Sequence, residues 1–213
     1  MKLIDISQDM LSAPIYPGDP KPKVQHIRQI AQGQECNLTA YSAGSHTGTH
    51  VDAPLHFIEG GAAVDECPLV NFIGPCMVIT VQEGPITGEW VNNHFPRNCE
   101  RLLVKSGGKA WFMDSAAIEA AELGIQLIGT DSLSIGCSGA QIKPHKAFLS
   151  NHIAILEGLA LHNVAPGNYF LFAPPIKLGG LEGAPARAVL IEDYIFWGGK
   201  TTAAPPAGAQ RLF

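Results

Sequence analysis

The sequence has few charged residues and no clustered positive charge. Charged residues make up 15% of its 213 positions, and 14 basic residues stand against 19 acidic ones. Without a run of lysine and arginine no stripe can neutralise nucleic-acid phosphates, so nucleic acid is not an expected partner. Hydrophobic residues reach 46%, which leaves apolar surface for subunit contacts, and we therefore expect a homo-oligomer.

Long hydrophobic runs are absent as well. Asp5 and Asp9 interrupt the apolar residues of the N-terminal segment MKLIDISQDM, and no other apolar stretch approaches the ~18 residues of a membrane span. This pattern predicts neither a signal peptide nor a membrane partner. We expect a cytoplasmic protein.

Cysteine is scarce, odd in number and never in CxxC spacing. This excludes a disulfide framework and a thiolate zinc knuckle as the expected organisation. We expect the thiols to be small buried side chains, with a nucleophilic cysteine paired with a histidine as an alternative. The five residues are Cys36, Cys67, Cys76, Cys99 and Cys137.

Short apolar runs rich in Val, Ile and Leu recur along the chain. Each has strand length and is bounded by Gly, Pro or polar residues. The runs cover residues 3–6, 77–81, 102–104, 126–128, 153–156, 169–172 and 188–191. Strands outnumber the predicted helices, which favours a mixed α/β domain over residues 1–213, built on a central mixed sheet or a partly closed barrel.

Two helices are predicted in the second half of the chain. The first runs from Ser115 to about Glu122, with Asp114 or Ser115 as N-cap and Gly124 as its stop. The second covers residues 146–151. From about residue 201 the chain has too few apolar groups to pack alone, so we expect this tail to be extended or to lie over a neighbour.

The segment HTGTHVDAPLH at residues 46–56 carries the densest chemistry. His46, His50, Asp52 and His56 all fall at even positions, so an extended backbone would project them from one face. Gly and Pro interrupt the segment and its Thr and Val residues are β-branched, which favours a strand leading into a loop over a helix. Imidazole and carboxylate ligands without cysteine are typical of a catalytic site for zinc, manganese or iron.

A further histidine and carboxylate are needed to complete such a site. His145 follows a proline at the start of the second helix, and Glu157 ends an apolar strand where an ionisable group needs water or a charged partner. His152, which opens the same strand, is the rival ligand. Spacing alone does not show whether these residues are ligands or ordinary structural residues.

The chain resembles the cyclase family of metal-dependent hydrolases, which includes bacterial kynurenine formamidases and isatin hydrolases. The resemblance covers nearly the whole chain, and its most specific motif is HTGTHVDAPLH. The other motifs occur in the expected order: YPGDP at 16–20, LIGTDSLS at 127–134, PHKAFLSNHIAILEGL at 144–159 and APPIKLGGLEGAPARAVL at 173–190. The resemblance implies a swivelling β/β/α domain that forms dimers or tetramers.

The resemblance also implies roles for single residues. His46, His50 and Asp52 would bind a first divalent ion, zinc or manganese, with Asp52 shared by a second. His145 and Glu157 would complete the second site, and the catalytic acid/base would be His56.

Two positions depart from the family pattern. Tyr16 occupies a substrate-contacting position that is usually tryptophan or phenylalanine in the kynurenine formamidases, and Gly136 stands where an acidic residue is expected.

The resulting hypothesis is hydrolysis of a small amide by a metal-activated water. The substrate would be an N-formyl aryl amide such as N-formylkynurenine, in tryptophan catabolism to kynurenine, or a lactam such as isatin. One alternative is a non-aryl cyclic amide or ester as substrate. The other is a non-catalytic protein that binds metal or a small ligand.

Overall fold

The computed structural model describes residues 1–193. The strands β1 to β13 are, in chain order, Lys2–Asp5, Lys23–Arg28, Leu38–Ser42, His50–Asp52, Ile73–Thr80, Gly84–Ile86, Arg101–Lys105, Ala110–Phe112, Leu127–Thr130, Ala154–Glu157, Gly167–Phe172, Gly183–Pro185 and Val189–Glu192. The helices α1 to α3 are Gly88–His94, Asp114–Glu122 and Ile142–Ser150. The tail predicted from about residue 201 lies outside the described residues.

Nine of the strands form one mixed sheet in the order β1-β13-β11-β5-β7-β9-β10-β4-β12. The central strands β5, β7, β9 and β10 pair in parallel, and the strands on both flanks pair antiparallel. Parallel neighbours need crossover connections, and α1, α2 and α3 each lie in one of the three. All seven apolar runs noted in the sequence lie on or overlap strands of this sheet.

Two apolar cores pack on the two faces of the sheet. On one face, Ile128 and Ile155 pack with Ala116 of α2 and Phe148 of α3. On the other face, Val51 of β4 shares a core with residues from the opposite flank, including Leu171 of β11 and Leu190 of β13. Residues from opposite flanks meet because the sheet curls into a half-barrel, which confirms the predicted mixed α/β class.

The predicted helices are present with shifted starts. Asp114 is the first residue of α2 and Met113 its cap, so the predicted N-cap was wrong by one residue, whereas the stop at Gly124 is confirmed by its φ of 78°. The second helix, α3, begins at Ile142 rather than at residue 146. Pro144 fits there because the first turn of a helix has no intrahelical partner for its N–H groups.

The remaining elements carry weak sequence signals. The helix α1 was not predicted, although Thr87 caps it by accepting a hydrogen bond from the N–H of Trp90 at 3.2 Å. The strands β2 and β3 form a separate antiparallel sheet, and their residues are exposed on both faces, so no alternation of burial marks them. None of the helices within residues 1–193 is long and apolar enough to cross a membrane.

Candidate active site

The register of β4 aligns three of the predicted ligands. β4 lies between β10 and β12 and is antiparallel to both. His50 is directly opposite Glu157, and Asp52 is directly opposite Ile155. Opposed residues of an antiparallel pair share a face, and Ile155 packs in the core on the helical side. His50, Asp52 and Glu157 therefore project together toward α3.

The other two predicted ligands come from outside these strands. His145 lies within α3 and is 2% exposed. His46 precedes β4 in a turn, so the extended region of the motif is shorter than predicted. The turn depends on Gly48, which has a φ of 70° and on which a Cβ would lie only 3.2 Å from Met10 Cα. Glycine at this position thus permits both the turn and the close approach of the backbone at Met10.

The five side chains form what we call the His–carboxylate cluster: His46, His50, Asp52, His145 and Glu157. Its first half gathers around one oxygen of Asp52. His46 Nδ1 lies 2.8 Å from Asp52 Oδ1, and His50 Nε2 lies 3.4 Å from the same oxygen. These three atoms are close enough together to be ligands of one ion.

The second half of the cluster gathers around the other oxygen of Asp52. His145 Nε2 lies 3.4 Å from Asp52 Oδ2 and 3.1 Å from Glu157 Oε1. Glu157 Oε2 lies 3.4 Å from His50 Nε2, so this carboxylate contacts both halves. The structure thus brings together all five residues that the sequence singled out as ligands, in two groups that share Asp52.

Backbone carbonyls set the orientation of two of the imidazoles. His50 Nδ1–H donates to the carbonyl of Gly48 at 2.9 Å, and His145 Nδ1–H donates to that of Gln141 at 2.6 Å. A carbonyl can only accept, so Nδ1 carries the proton in both rings. In the neutral rings, each Nε2 then presents a lone pair to carboxylate oxygens. A proton or a metal ion is needed between such atoms.

The pKa values of the cluster residues also show that this site favours bound positive charge. Burial by itself lowers the pKa of His50, but the Asp52 and Glu157 carboxylates outweigh it and raise this pKa to about 10. The same balance raises the pKa of His145 to about 10. Burial opposes ionisation of Asp52, yet the facing imidazoles hold its pKa well below the usual value.

One buried atom fits a bound divalent ion. Within residues 1–193, Asp52 Oδ2 is buried without a hydrogen bond, which is costly unless another partner is present. Gly183 of β12 leaves room for the His46 ring, because a Cβ there would lie 2.6 Å from His46 Cε1. The nitrogen and carboxylate donors suit zinc, manganese or iron.

His56 lies beside the cluster without belonging to either group of ligand atoms. It ends the short 3-10 helix Pro54–His56, and its ring stacks on that of His46 with centroids 4.0 Å apart. Burial lowers the pKa of His56, and the nearby Asp52 carboxylate opposes this without reversing it. A neutral imidazole at this place can accept a proton near neutral pH.

A cavity of about 210 Å³ opens onto these histidines. Tyr16, Phe57 and Leu133 give it apolar walls, and Asp19, Ser134 and Gln141 add polar groups. His46, His50, His56, His145 and Glu157 complete the lining. Tyr16 therefore lines the cavity beside the cluster, and its role as a substrate contact stays a prediction.

Sequence reasoning missed Glu182, in the loop before β12. Its Oε1 accepts a hydrogen bond from Ser45 Oγ at 2.5 Å and lies 3.4 Å from His46 Nε2, on the side of the ring away from Asp52. Burial raises the pKa of Glu182, but the hydrogen bond from Ser45, a backbone hydrogen bond and the nearby imidazoles together outweigh it, so this pKa is lowered. The sequence signal for Glu182 was an acidic side chain within the segment LEGAP, but only the fold brings this residue to His46.

Gly136 has a local reason to be glycine. A Cβ at this position would lie 2.4 Å from Gln141 Cα, so no side chain fits without moving the start of α3. Gln141 supplies the carbonyl that orients His145. The acidic residue expected here is therefore excluded by packing in this chain.

The alternative site residues lie elsewhere. His152 is exposed and borders a different cavity, so it is not a ligand in this arrangement. Among the described residues that line the cavity next to His56 there is no cysteine. Cys76 and Cys99 are buried as expected, whereas for Cys36, which is exposed, the prediction was wrong.

The sequence of this chain matches known proteins along most of its length. A family model described as "Putative cyclase" matches residues 4–136. A kynurenine formamidase of Delftia acidovorans is 36% identical to this chain over an alignment of 206 residues. The match covers 89% of this chain and 97% of the relative.

Solved structures share the fold. A potential metal-dependent hydrolase with cyclase activity superposes with a TM-score of 0.78 at 30% identity, covering 89% of this chain and 96% of that one. Isatin hydrolase A from Labrenzia aggregata gives a TM-score of 0.75 at 20% identity over 89% of this chain and 93% of that one. At 20% identity, the similarity to isatin hydrolase A shows a shared fold alone.

Proposed function

The chain belongs to the cyclase family, and we propose from this premise that it is a metal-dependent hydrolase that cleaves the C–N bond of a small aryl amide. The specific activity proposed is that of an arylformamidase acting on N-formylkynurenine. One observation carries this proposal: His46, His50, His145 and Glu157 gather around the two oxygens of Asp52. His56, which belongs to neither ligand group, stacks on His46 and lines the same cavity. The kynurenine formamidases among its relatives support the substrate.

We propose that the cluster holds two divalent ions, zinc or manganese. The first would be held by His46 Nδ1, His50 Nε2 and Asp52 Oδ1, because these atoms converge. The second would be held by Asp52 Oδ2, His145 and Glu157. When bound, a divalent ion supplies Lewis acidity, which polarises a carbonyl and lowers the pKa of water from 15.7 to about 7.

The protein's own acid/base group is His56 in this proposal. Its lowered pKa keeps the ring neutral near pH 7, so it takes a proton from the attacking water. The water oxygen forms a bond to the formyl carbon, and the C–N bond breaks. His56 then gives its proton to the leaving nitrogen, so that the free aryl amine and formic acid are the products, and the acid releases its remaining proton to solvent as formate.

The cavity favours a compact aromatic substrate. Tyr16, Phe57 and Leu133 offer apolar surface to one ring, and the volume of about 210 Å³ limits what can enter. Drug-sized ligands occupy pockets of about 300–1,000 Å³, so a small molecule fits better than a polymer. Tyr16 adds a hydroxyl group to this wall that tryptophan and phenylalanine lack.

Three further expectations accompany the proposal. The chain acts as a homo-oligomer, either a dimer or a tetramer, and residues 1–213 form one domain. The cytoplasm is the proposed location. Each of these stays a prediction.

The test is a hydrolysis assay on protein of measured metal content. N-formylkynurenine, isatin and simple aryl formamides are each assayed with and without a chelator, followed by addition of zinc or manganese. We expect turnover of the formamides, loss of activity on chelation and recovery with metal. Turnover of isatin alone would replace the formamide proposal with lactam hydrolysis.

The same assay separates the enzyme from a binding protein. Absence of hydrolysis across the panel, with metal demonstrably bound, would favour the non-catalytic alternative. Alkylation of the thiols serves as a control, because a cysteine hydrolase would lose activity and the proposed enzyme would keep it.

A further inference from the structure

The segment YPGD at residues 16–19 forms a tight turn at the edge of the active-site cavity. Asp19 N–H donates to the carbonyl of Tyr16 at 3.0 Å, and Gly18 has a φ of 103°. Proline in the second position and glycine with positive φ in the third are typical of a type II turn, which brings the Cα atoms of its first and fourth residues within about 7 Å. Tyr16 and Asp19 therefore line neighbouring parts of the cavity.

Asp19 brings a carboxylate to the cavity that the His–carboxylate cluster does not use. Among the described residues that line the cavity, the other carboxylate is that of Glu157, which belongs to the cluster. Asp19 is exposed, whereas Glu157 is 3% exposed, so Asp19 lies at the solvent side. Within residues 1–193 the Asp19 carboxylate has no hydrogen-bond or ion-pair partner, so it is free to bind a ligand.

The chemistry of this end of the cavity favours a cation. The described residues of the lining include no lysine or arginine that could neutralise Asp19 or hold an anion. A free carboxylate attracts an ammonium group and repels another carboxylate. The aromatic ring of Tyr16 adds a second attraction, because a cation within about 6 Å of a ring centroid is stabilised by its π-face.

The size of the cavity places the far end of a substrate at this turn. A volume of about 210 Å³ is smaller than the ~300–1,000 Å³ of pockets that enclose drug-sized ligands. The ring and the reacting formamide would fill the inner part, next to His56 and the cluster. A substituent on the ring would then extend to the solvent side, where Tyr16 and Asp19 lie.

We propose that the turn of residues 16–19 is a cation subsite, in which the Asp19 carboxylate accepts hydrogen bonds from a primary ammonium group of the substrate. Asp19 thereby determines specificity, because it selects aryl formamides with an aminoalkyl substituent over neutral and anionic ones. This inference depends on the proposed function of the cavity and adds the residue that recognises the end of the substrate that does not react.

The experiment compares four formamides that share one ring and differ in charge. N-formylkynurenine carries an ammonium and a carboxylate, N-formylkynuramine the ammonium alone, 4-(2-formamidophenyl)-4-oxobutanoate the carboxylate alone, and 2-formamidopropiophenone neither. The ratio of kcat/KM for N-formylkynuramine to that for the neutral ketone is the measured preference. We expect this preference to fall about fivefold from wild type to Asp19→Asn, the size of effect that an exposed ion pair provides.

The kinetic parameters separate recognition from damage to the site. The loss on the ammonium substrates should appear in KM rather than in kcat, because a contact with the distant end of a substrate is equal in the ground state and the transition state. Charge reversal in Asp19→Lys should invert the order, so that the oxobutanoate becomes a better substrate than N-formylkynuramine. Asp114→Asn, which removes an exposed carboxylate outside this cavity, is the matched control and should keep the wild-type preference.

Equilibrium binding gives a second readout that needs no turnover. Kynuramine and 2-aminopropiophenone, which lacks the ammonium group, are titrated by calorimetry into wild type and Asp19→Asn of equal metal content. We expect kynuramine to bind wild type more tightly than the neutral ketone, and to lose that advantage in Asp19→Asn.

The possible outcomes separate this inference from the proposed function. Equal preference in wild type and Asp19→Asn would overturn the subsite, as would a loss of kcat on all four substrates or the absence of kynuramine binding. Hydrolysis of none of the four, with kynuramine binding that depends on Asp19, would remove the proposed activity and support the subsite.

Discussion

In the His–carboxylate cluster four of the five residues are at most 3% exposed, whereas in the hairpin of residues 21–42, which we call the arm, 20 of 22 residues are exposed. The cluster combines strands from the centre and the flank of the main sheet with a helix, but the arm is local in sequence and pairs only its own two strands. The cluster has lone pairs that a bound cation would satisfy, whereas the arm leaves apolar side chains such as Val24 and Tyr41 exposed to water.

The two regions should respond differently to substitution. A buried ionisable cluster depends on each atom, because an unpaired charge has no water to replace its partner. An exposed hairpin tolerates single changes, since water solvates whatever is altered. Substitutions in the cluster should therefore change metal binding and activity strongly, and those in the arm should change neither.

The largest effect is expected for Asp52→Asn. The amide removes the charge that both groups of ligands share and presents an N–H₂ to imidazole nitrogens. We expect loss of both ions by elemental analysis and a fall in kcat/KM of about 10³-fold or more, consistent with loss of metal-ion catalysis. Asp114→Asn, on the exposed start of α2, is the control and should behave as wild type. Normal metal content in Asp52→Asn would contradict the shared-ligand assignment.

The next largest effect is expected for His56→Ala. This variant should retain wild-type metal content, because His56 belongs to neither ligand group, while kcat falls about 10²- to 10⁴-fold through loss of the acid/base group. Metal analysis and steady-state kinetics on one preparation test both parts. His94→Ala, an exposed histidine on α1, is the matched control. Loss of metal from His56→Ala would instead make His56 a ligand.

A smaller effect is expected at the outer side of His46. Glu182→Gln weakens the carboxylate that faces His46 Nε2, and outer carboxylates of this kind typically affect metal affinity by 10- to 100-fold. Competition with a chromogenic chelator should show that loss, and kcat of the fully loaded enzyme should change much less. Glu182→Asp should recover part of the affinity if Glu182 positions His46. A fall in kcat without any change in affinity would assign Glu182 a different role.

The smallest effect is expected in a pair of identical substitutions, one in each region. Gly33→Ala in the arm adds a methyl group in open space at a φ of 83°, which costs about 1 kcal/mol of conformational strain. Gly183→Ala places its methyl group against His46 Cε1. Denaturant unfolding should show a modest loss of stability for Gly33→Ala with full metal content, whereas Gly183→Ala should also retain somewhat less metal. Equal metal content in the two would remove the distinction between the regions.

The candidate site was largely predictable because its chemistry is local. His46, His50, Asp52 and His56 lie within eleven residues, and their identities restrict the possible ligands before any fold is known. Spacing left His145, Glu157 and His152 undecided. The antiparallel register sets Glu157 opposite His50, and the packing of α3 brings His145 to Asp52. Both contacts join residues about a hundred positions apart, which local spacing cannot predict.

Other elements were not predictable for physical reasons. The strands β2 and β3 lack a buried face, so neither alternation nor an apolar run marks them. Glu182 is an ordinary acidic residue until β12 pairs with β4 and brings it to His46. The expected acidic residue at position 136 is absent because the start of α3 occupies that space.

The amino-acid sequence by itself determined the mixed α/β class, most strands of the main sheet and the set of ligand types, because hydrophobic period and side-chain chemistry are properties of short segments. Tertiary structure alone decided that Asp52 presents one oxygen to each half of the cluster, that His56 stays outside it and that the arm projects uncovered. Those outcomes depend on strand register and on burial, and both are set by residues far apart in the chain.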